Sequence, residues 1–185
     1  MDGMRRLCLL RHGKSRWDDA SLADVDRPLS KRGRRAVERV ARYLGATGVR
    51  PAIVLCSVAR RTRETLDRLA PVLEGVPVAI ETELYEADEA DLLARLRRMD
   101  DRLASALLIG HNPGLERLAA SLAAGHGDRA GMARMREKYP TGALAILECD
   151  VGRWADLGDG TCRLVSFVRP ADLDDETNAT GMSGE

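Results

Sequence analysis

Apolar positions along the chain follow two rhythms that alternate. Runs that are wholly or mostly apolar occupy residues 7–10, 52–56, 76–80 and 104–109, the first continuing a strand from about Arg5. Their length and lack of alternation suit strands covered on both faces. Between them apolar residues recur every three or four positions. Ala36, Val37, Val40, Ala41 and Leu44 form one helical face, with Ser30 as N-cap and Gly45 at its end. Leu66, Leu69 and Leu73 mark a second helix over 59–73, and Leu92, Leu93 and Leu96 a third opened by Asp88 or Glu89. Pro113 suits the first turn of a fourth helix reaching about residue 124. Residues 125–131 read as a flexible loop, and 143–149 and 163–168 as two further strands. Pro77 points the third run toward a sheet edge.

This alternation predicts an α/β fold: a three-layer sandwich with a mostly parallel central sheet and helices on both faces. One domain over residues 1–170 accounts for every periodic segment, and residues 171–185, small, acidic and polar, read as a disordered tail. In such sheets ligands bind beyond the carboxyl ends of the strands. That rule gathers scattered residues onto one rim. Arg11 and His12 follow the first run, Arg61 the second, Glu83 to Glu86 the third and His111 the fourth. The chain has three histidines, and two of them fall on this rim; His126 lies in the glycine-rich loop.

Two histidines beside two arginines suit a phosphoryl group better than a metal. The guanidinium groups repel a cation but match phosphate oxygens through a bidentate fork. The Gly13 backbone amide adds a donor in this reading, and a histidine can act as a nucleophile that becomes phosphorylated. Metal sites are not expected. No C-x-x-C pair is present, and the acids between Asp156 and Asp159 lack Ca²⁺-loop spacing.

Composition narrows the picture further. In the 185 residues, 29 bases balance 29 acids, and only one Phe, three Tyr and two Trp are available for base stacking. Nucleic-acid binding is therefore not expected. No apolar run approaches the roughly 18 residues of a membrane span, and no signal-peptide pattern precedes the first strand. Cys8, Cys56 and Cys149 sit in apolar runs as small hydrophobes. These features place the protein in a reducing cytoplasm.

Three motifs in order carry a resemblance. Arg11-His12-Gly13 follows the first strand. Ser57, Arg61 and Thr65 fit an S-x-x-x-R-x-x-x-T element after the second. Gly110-His111-Asn112-Pro113 precedes the fourth helix. Together they resemble the histidine phosphatase superfamily, whose fold is that of the phosphoglycerate mutases. Asp26-Arg27-Pro28-Leu29-Ser30, Leu84-Tyr85-Glu86-Ala87 and Tyr139-Pro140-Thr141-Gly142 extend the likeness to the SixA-like phosphohistidine phosphatases, over about residues 4–170. Thr62 and Glu64 stand where the family pattern has Ala and Gln. That departure is expected to alter helix packing rather than catalysis.

The resemblance implies roles without a metal or cofactor. His12 attacks phosphorus. Arg11, Arg61 and His111 hold the phosphoryl group, with His111 protonated in the transition state. Gly13 and Ser15 bind it, and Lys14 and Arg27 line the entrance. Glu86, or Glu83 after it, is the candidate general acid. The implied substrate is phosphohistidine in a protein. The alternatives are small phosphate esters, or a phosphate-binding protein without turnover. Superfamily members that act on sugar phosphates build a lid between the third strand and the second histidine. Here only residues 87–110 lie between Glu86 and His111, enough for one helix and one strand. An open crevice is expected.

Overall fold

The computed structural model describes residues 3–173. Six strands form one sheet: β1 (Arg5–Arg11), β2 (Val54–Ser57), β3 (Val78–Glu81), β4 (Ser105–Gly110), β5 (Leu144–Cys149) and β6 (Cys162–Val168). Their order is β3-β2-β4-β1-β5-β6. The first four pair in parallel, while β5 and β6 add antiparallel strands beside β1. Five helices accompany them: α1 (Lys31–Thr47), α2 (Arg60–Leu69), α3 (Glu89–Arg97), α4 (Gly114–Ala123) and α5 (Arg129–Glu137). The segment between Glu86 and His111 consists of α3, a turn and β4.

The strand pleat explains the three layers. Along β1, Leu7 and Leu9 join a core shared with α3, α4 and α5. Cys8 and Leu10 point the other way, into a core with α1 and α2. Because both faces are covered, β1, β2 and β4 carry no polar alternation. β3 lies at the edge, as Pro77 suggested, and Val78 and Ile80 remain exposed there.

Four details differ from the sequence reading. α1 passes Gly45 and ends at Gly48, whose left-handed backbone (φ 66°) closes the helix. Residues 129–131, expected to be loop, open α5. Asp128 caps it by accepting from the Ala130 and Gly131 amides, and Met132 and Met135 bury one face. Residues 170–172 form a 3-10 turn, and Leu173 packs against the α1 side of the core. The remainder of the expected tail lies outside the described residues. Finally, Cys149 and Cys162 stand opposite each other in the β5–β6 pair and are joined by a disulfide. Cys149 is thus more than a small hydrophobe.

Candidate active site

Strand register creates the site. β1 and β4 are neighbours, with Arg11 opposite Gly110. The next residue of each strand therefore leaves the sheet beside the other, and the His12 and His111 rings stand 5.2 Å apart. The His12 amide also donates to the Gly110 carbonyl at 3.1 Å, which fixes this exit. On the other side of β4, β2 ends at Ser57, whose hydroxyl meets His111 Nε2 at 2.8 Å. Arg61 enters from the first turn of α2 and reaches to 3.4 Å from His111 Nδ1. His12, His111 and Arg61 are each buried.

Each side chain is held by specific partners. His12 Nδ1 lies 2.7 Å from the Gly13 carbonyl. A carbonyl only accepts, so the proton resides on Nδ1 and Nε2 keeps its lone pair. Burial pushes the His12 ring down to about 4, and the nearby Arg61 and Arg11 act in the same direction. Burial, then His12 and Arg61, push His111 down to about 3. Both rings are therefore neutral near pH 7. Arg11 donates to the Tyr139 carbonyl at 2.8 Å, while its buried Nε has no partner. The 139–142 segment clamps the end of β1. The Tyr139 hydroxyl donates to the Leu9 carbonyl at 2.6 Å, and the Gly142 amide reaches the Arg11 and His12 carbonyls.

Asp24 organises the opposite wall. Its carboxylate accepts from Arg61 Nη2 at 3.0 Å and from the Tyr85 hydroxyl at 2.7 Å. Its backbone carbonyl accepts from Arg61 Nη1 at 2.7 Å. These bonds hold its carboxyl below the ordinary carboxylate range, the Tyr85 hydroxyl bond first. Tyr85 sets its ring edge toward His111, 5.6 Å between centroids. Sequence reading did not single out Asp24. Its sole local signal is its place just before the Asp26-Arg27-Pro28 motif. Ser57 and Thr65 appeared in a motif, but their contacts depend on the fold.

Several expected residues stand differently. The Gly13 amide is not directed at a phosphate, because it donates to Thr65 Oγ1 at 3.0 Å. Gly13 matters sterically: a Cβ there would lie 2.8 Å from Val37 and 3.0 Å from the Gly33 carbonyl. Ser15 is buried and lines the cleft with Lys14. Arg27 instead packs over the Trp17 ring at 3.8 Å. Glu86 is exposed, at a left-handed φ of 55°, and its carboxylate bonds to none of these side chains. Glu83 pairs with Arg98 and Arg95, away from the histidines. The two departures from the family pattern have packing roles. Thr62 Oγ1 donates to the Ser57 and Ala59 carbonyls, and Glu64 accepts from the Leu29 amide.

A cleft of about 830 Å³ opens over Arg11, His12, Ser15, Asp24 and Arg61. Among the described residues no group of His, Cys, Asp and Glu is arranged to hold a metal ion, and no helix is long and apolar enough to cross a membrane. A neutral histidine with a free Nε2 lone pair, beside fixed guanidinium donors, is equipped to accept a phosphoryl group.

This fold and arrangement define a phosphatase of the hydrolase class. Residues 7–108 match the histidine phosphatase superfamily (branch 1), and the chain belongs to that family. It is similar to a solved protein from Nakamurella multipartitia described as phosphohistidine phosphatase SixA. Identity is 27%, the TM-score is 0.78, and 91% of this chain and 97% of the other are covered. A SixA structure from Agrobacterium tumefaciens gives 28% identity and a TM-score of 0.75, covering 90% and 98%. Among curated sequences, an uncharacterized Mycobacterium tuberculosis protein is 36% identical over 162 residues, covering 87% of this chain and 99% of its own. The chain is thus a SixA-like member of the superfamily.

Proposed function

We propose that the protein removes phosphoryl groups from phosphohistidine in a protein substrate, in the cytoplasm, through a phosphorylated His12. His12 Nε2 attacks phosphorus, a new N–P bond forms, and the bond from phosphorus to the substrate imidazole breaks. Water then attacks phospho-His12, releasing inorganic phosphate and restoring the neutral ring. The steps use no metal or cofactor. Arg11 and Arg61 neutralise the equatorial oxygens, and the unpartnered Arg11 Nε is a donor available for that purpose. Burial, with His12 and Arg61 beside it, keeps His111 neutral in the empty site; an arriving phosphoryl dianion offsets these effects, so His111 takes a proton as charge develops. Ser15 adds a hydroxyl at the cleft wall.

The observation that carries this reading is the His12 Nδ1 contact with the Gly13 carbonyl, which leaves Nε2 as the free nitrogen. The substrate follows from the leaving group. Imidazole has a conjugate acid near ~6.5 and departs without a placed acid, whereas an alkoxide gains far more from one. Glu86, the candidate acid, is exposed and unattached to the site, which favours the better leaving group.

The test is a single-turnover reaction with a ³²P-labelled phosphohistidine protein and a panel of small phosphate esters. The wild type transfers label to His12 and hydrolyses phosphohistidine faster than the esters, and His12→Ala captures no label. A variant that turns over as fast as wild type refutes the nucleophile. A strong ester preference that depends on Glu86 refutes the substrate.

A further inference from the structure

The cleft carries more positive charge than one phosphoryl group uses. Seven cationic side chains line it, Arg11, Lys14, Arg32, Arg39, Arg61, Lys138 and Arg169, against two carboxylates, Asp24 and Glu137. The whole chain is balanced at 29 bases and 29 acids, so this excess is local. Arg169 is partly neutralised by Glu137 and Asp172, and Arg39 donates to the Pro170 carbonyl. Lys14, Arg32 and Lys138 are exposed and form no ion pair among the described residues. The chain writes nearly all its cations as arginine, yet two of its three lysines line this cleft.

The charge is also elongated. Arg32, Ala36 and Arg39 line the cleft at i, i+4 and i+7 of α1. Seven residues of helix rise about 10 Å, several times the radius of a phosphoryl group. Arg11 and Arg61, the latter paired with Asp24, face that group at the histidines. The remaining cations face an anion that continues away from the reaction centre. An extended peptide advances about 3.3 Å per residue, so about three residues cover the α1 row. The crevice walls come from separate elements with only α3 and β4 between Glu86 and His111, so a displayed chain segment can lie in it.

We propose that this cationic cleft selects phosphoproteins whose phosphorylated residue lies beside a short acidic segment, with Arg32 and Lys138 as specificity-determining residues. The inference rests on the phosphoprotein reading above and names the chemistry of its partner. Carboxylates of the segment meet Arg32, Lys138 and Lys14, while the phosphoryl group meets Arg11 and Arg61. Such exposed charges act mainly through encounter and KM, and their effect weakens with salt.

The experiment compares the full chain with Arg32→Gln/Lys138→Gln; Lys14 is left intact because it adjoins the catalytic loop. Substrates are a phosphohistidine peptide with three flanking Asp or Glu, the same peptide with Asn or Gln instead, matching phosphoserine peptides, and tripolyphosphate. Wild type is expected to show about a tenfold lower KM for the acidic peptide, a preference that shrinks in added salt. The double variant loses that preference while keeping the neutral-peptide rate within about twofold, which also certifies its fold. Equal KM values for the two wild-type peptides overturn the inference. So does a loss in the variant of the same size on every substrate. Tripolyphosphate hydrolysis that depends on Arg32 and Lys138, with no peptide discrimination, overturns it in favour of a small polyanion. Preference for acidic phosphoserine peptides with no phosphohistidine turnover upholds the cleft inference and refutes the phosphohistidine reading alone.

Discussion

Acid should weaken this fold through His12, and the size of the effect follows from the site. The ring is 7% exposed and sits beside Arg61 and Arg11, so it charges only when its pKa of about 4 is reached. In the unfolded chain the same ring has its ordinary value near ~6.5. Between those values the unfolded state binds a proton that the folded state refuses. Stability therefore rises with pH across this window; it is complete above about 6.5 and is lost as pH falls toward about 4. At about pH 5 the linkage costs about 2 kcal/mol, a sizeable share of an ordinary domain's roughly 5–15 kcal/mol. The assay is urea unfolding of wild type and His12→Gln, each at about pH 7.5 and about pH 5. Carboxylates held low by partners remote from His12, such as Glu148 between Arg6 and Arg163, contribute equally to both proteins and cancel. Wild type should lose about 2 kcal/mol more than the variant on acidification. Equal losses would show that the ring protonates in the folded state at its ordinary pH. The account of His12 as a neutral nucleophile shielded from water would then fail.

Three further outcomes test the surrounding structure. Gly33→Ala should gain about 1 kcal/mol from helix propensity alone, but its Cβ would lie 2.2 Å from the Lys14 carbonyl, so net destabilisation by about 1–3 kcal/mol and a lower kcat are expected from melts and kinetics. Tyr139→Phe leaves the buried Leu9 carbonyl without the hydroxyl it accepts at 2.6 Å, and should cost about 1–3 kcal/mol in urea while the backbone anchor of Arg11 survives. Glu86→Gln should leave the phosphohistidine rate within about twofold, because its exposed carboxylate bonds to no residue of the site; a hundredfold loss would restore it as the general acid.

Much of the site was legible because strand ends and motifs coincide. Short, largely apolar runs separated by helical segments read as strands covered on both faces, and such strands deliver Arg11, His12 and His111 to a common rim. Three of the five helices followed from apolar spacing and a fourth from Pro113 at its start. α5 escaped because Gly125, Gly127 and Gly131 disguise its start; the signal was Asp128, a good cap ahead of Met132 and Met135. Gly45 misled because a helix interior tolerates glycine, whereas Gly48 supplies the left-handed turn that ends α1.

The sequence by itself determined the layers, the strand ends and the types of side chain at the rim, since these depend on local periodicity and on chemistry written residue by residue. Tertiary structure decided how those side chains act. Only the register of Arg11 against Gly110 brings the two histidine rings together. Only folding gives the Gly13 amide to Thr65 and its carbonyl to His12, turning a proposed phosphate donor into the group that sets a tautomer. Asp24 becomes the partner of Arg61 and Tyr85, and Cys149 the partner of Cys162, through contacts between segments far apart or paired by register. The cationic cleft belongs to the same category: α1, the loop after β1 and the segments before β5 and after β6 each contribute one or two cations, and no stretch of a balanced chain reveals their sum.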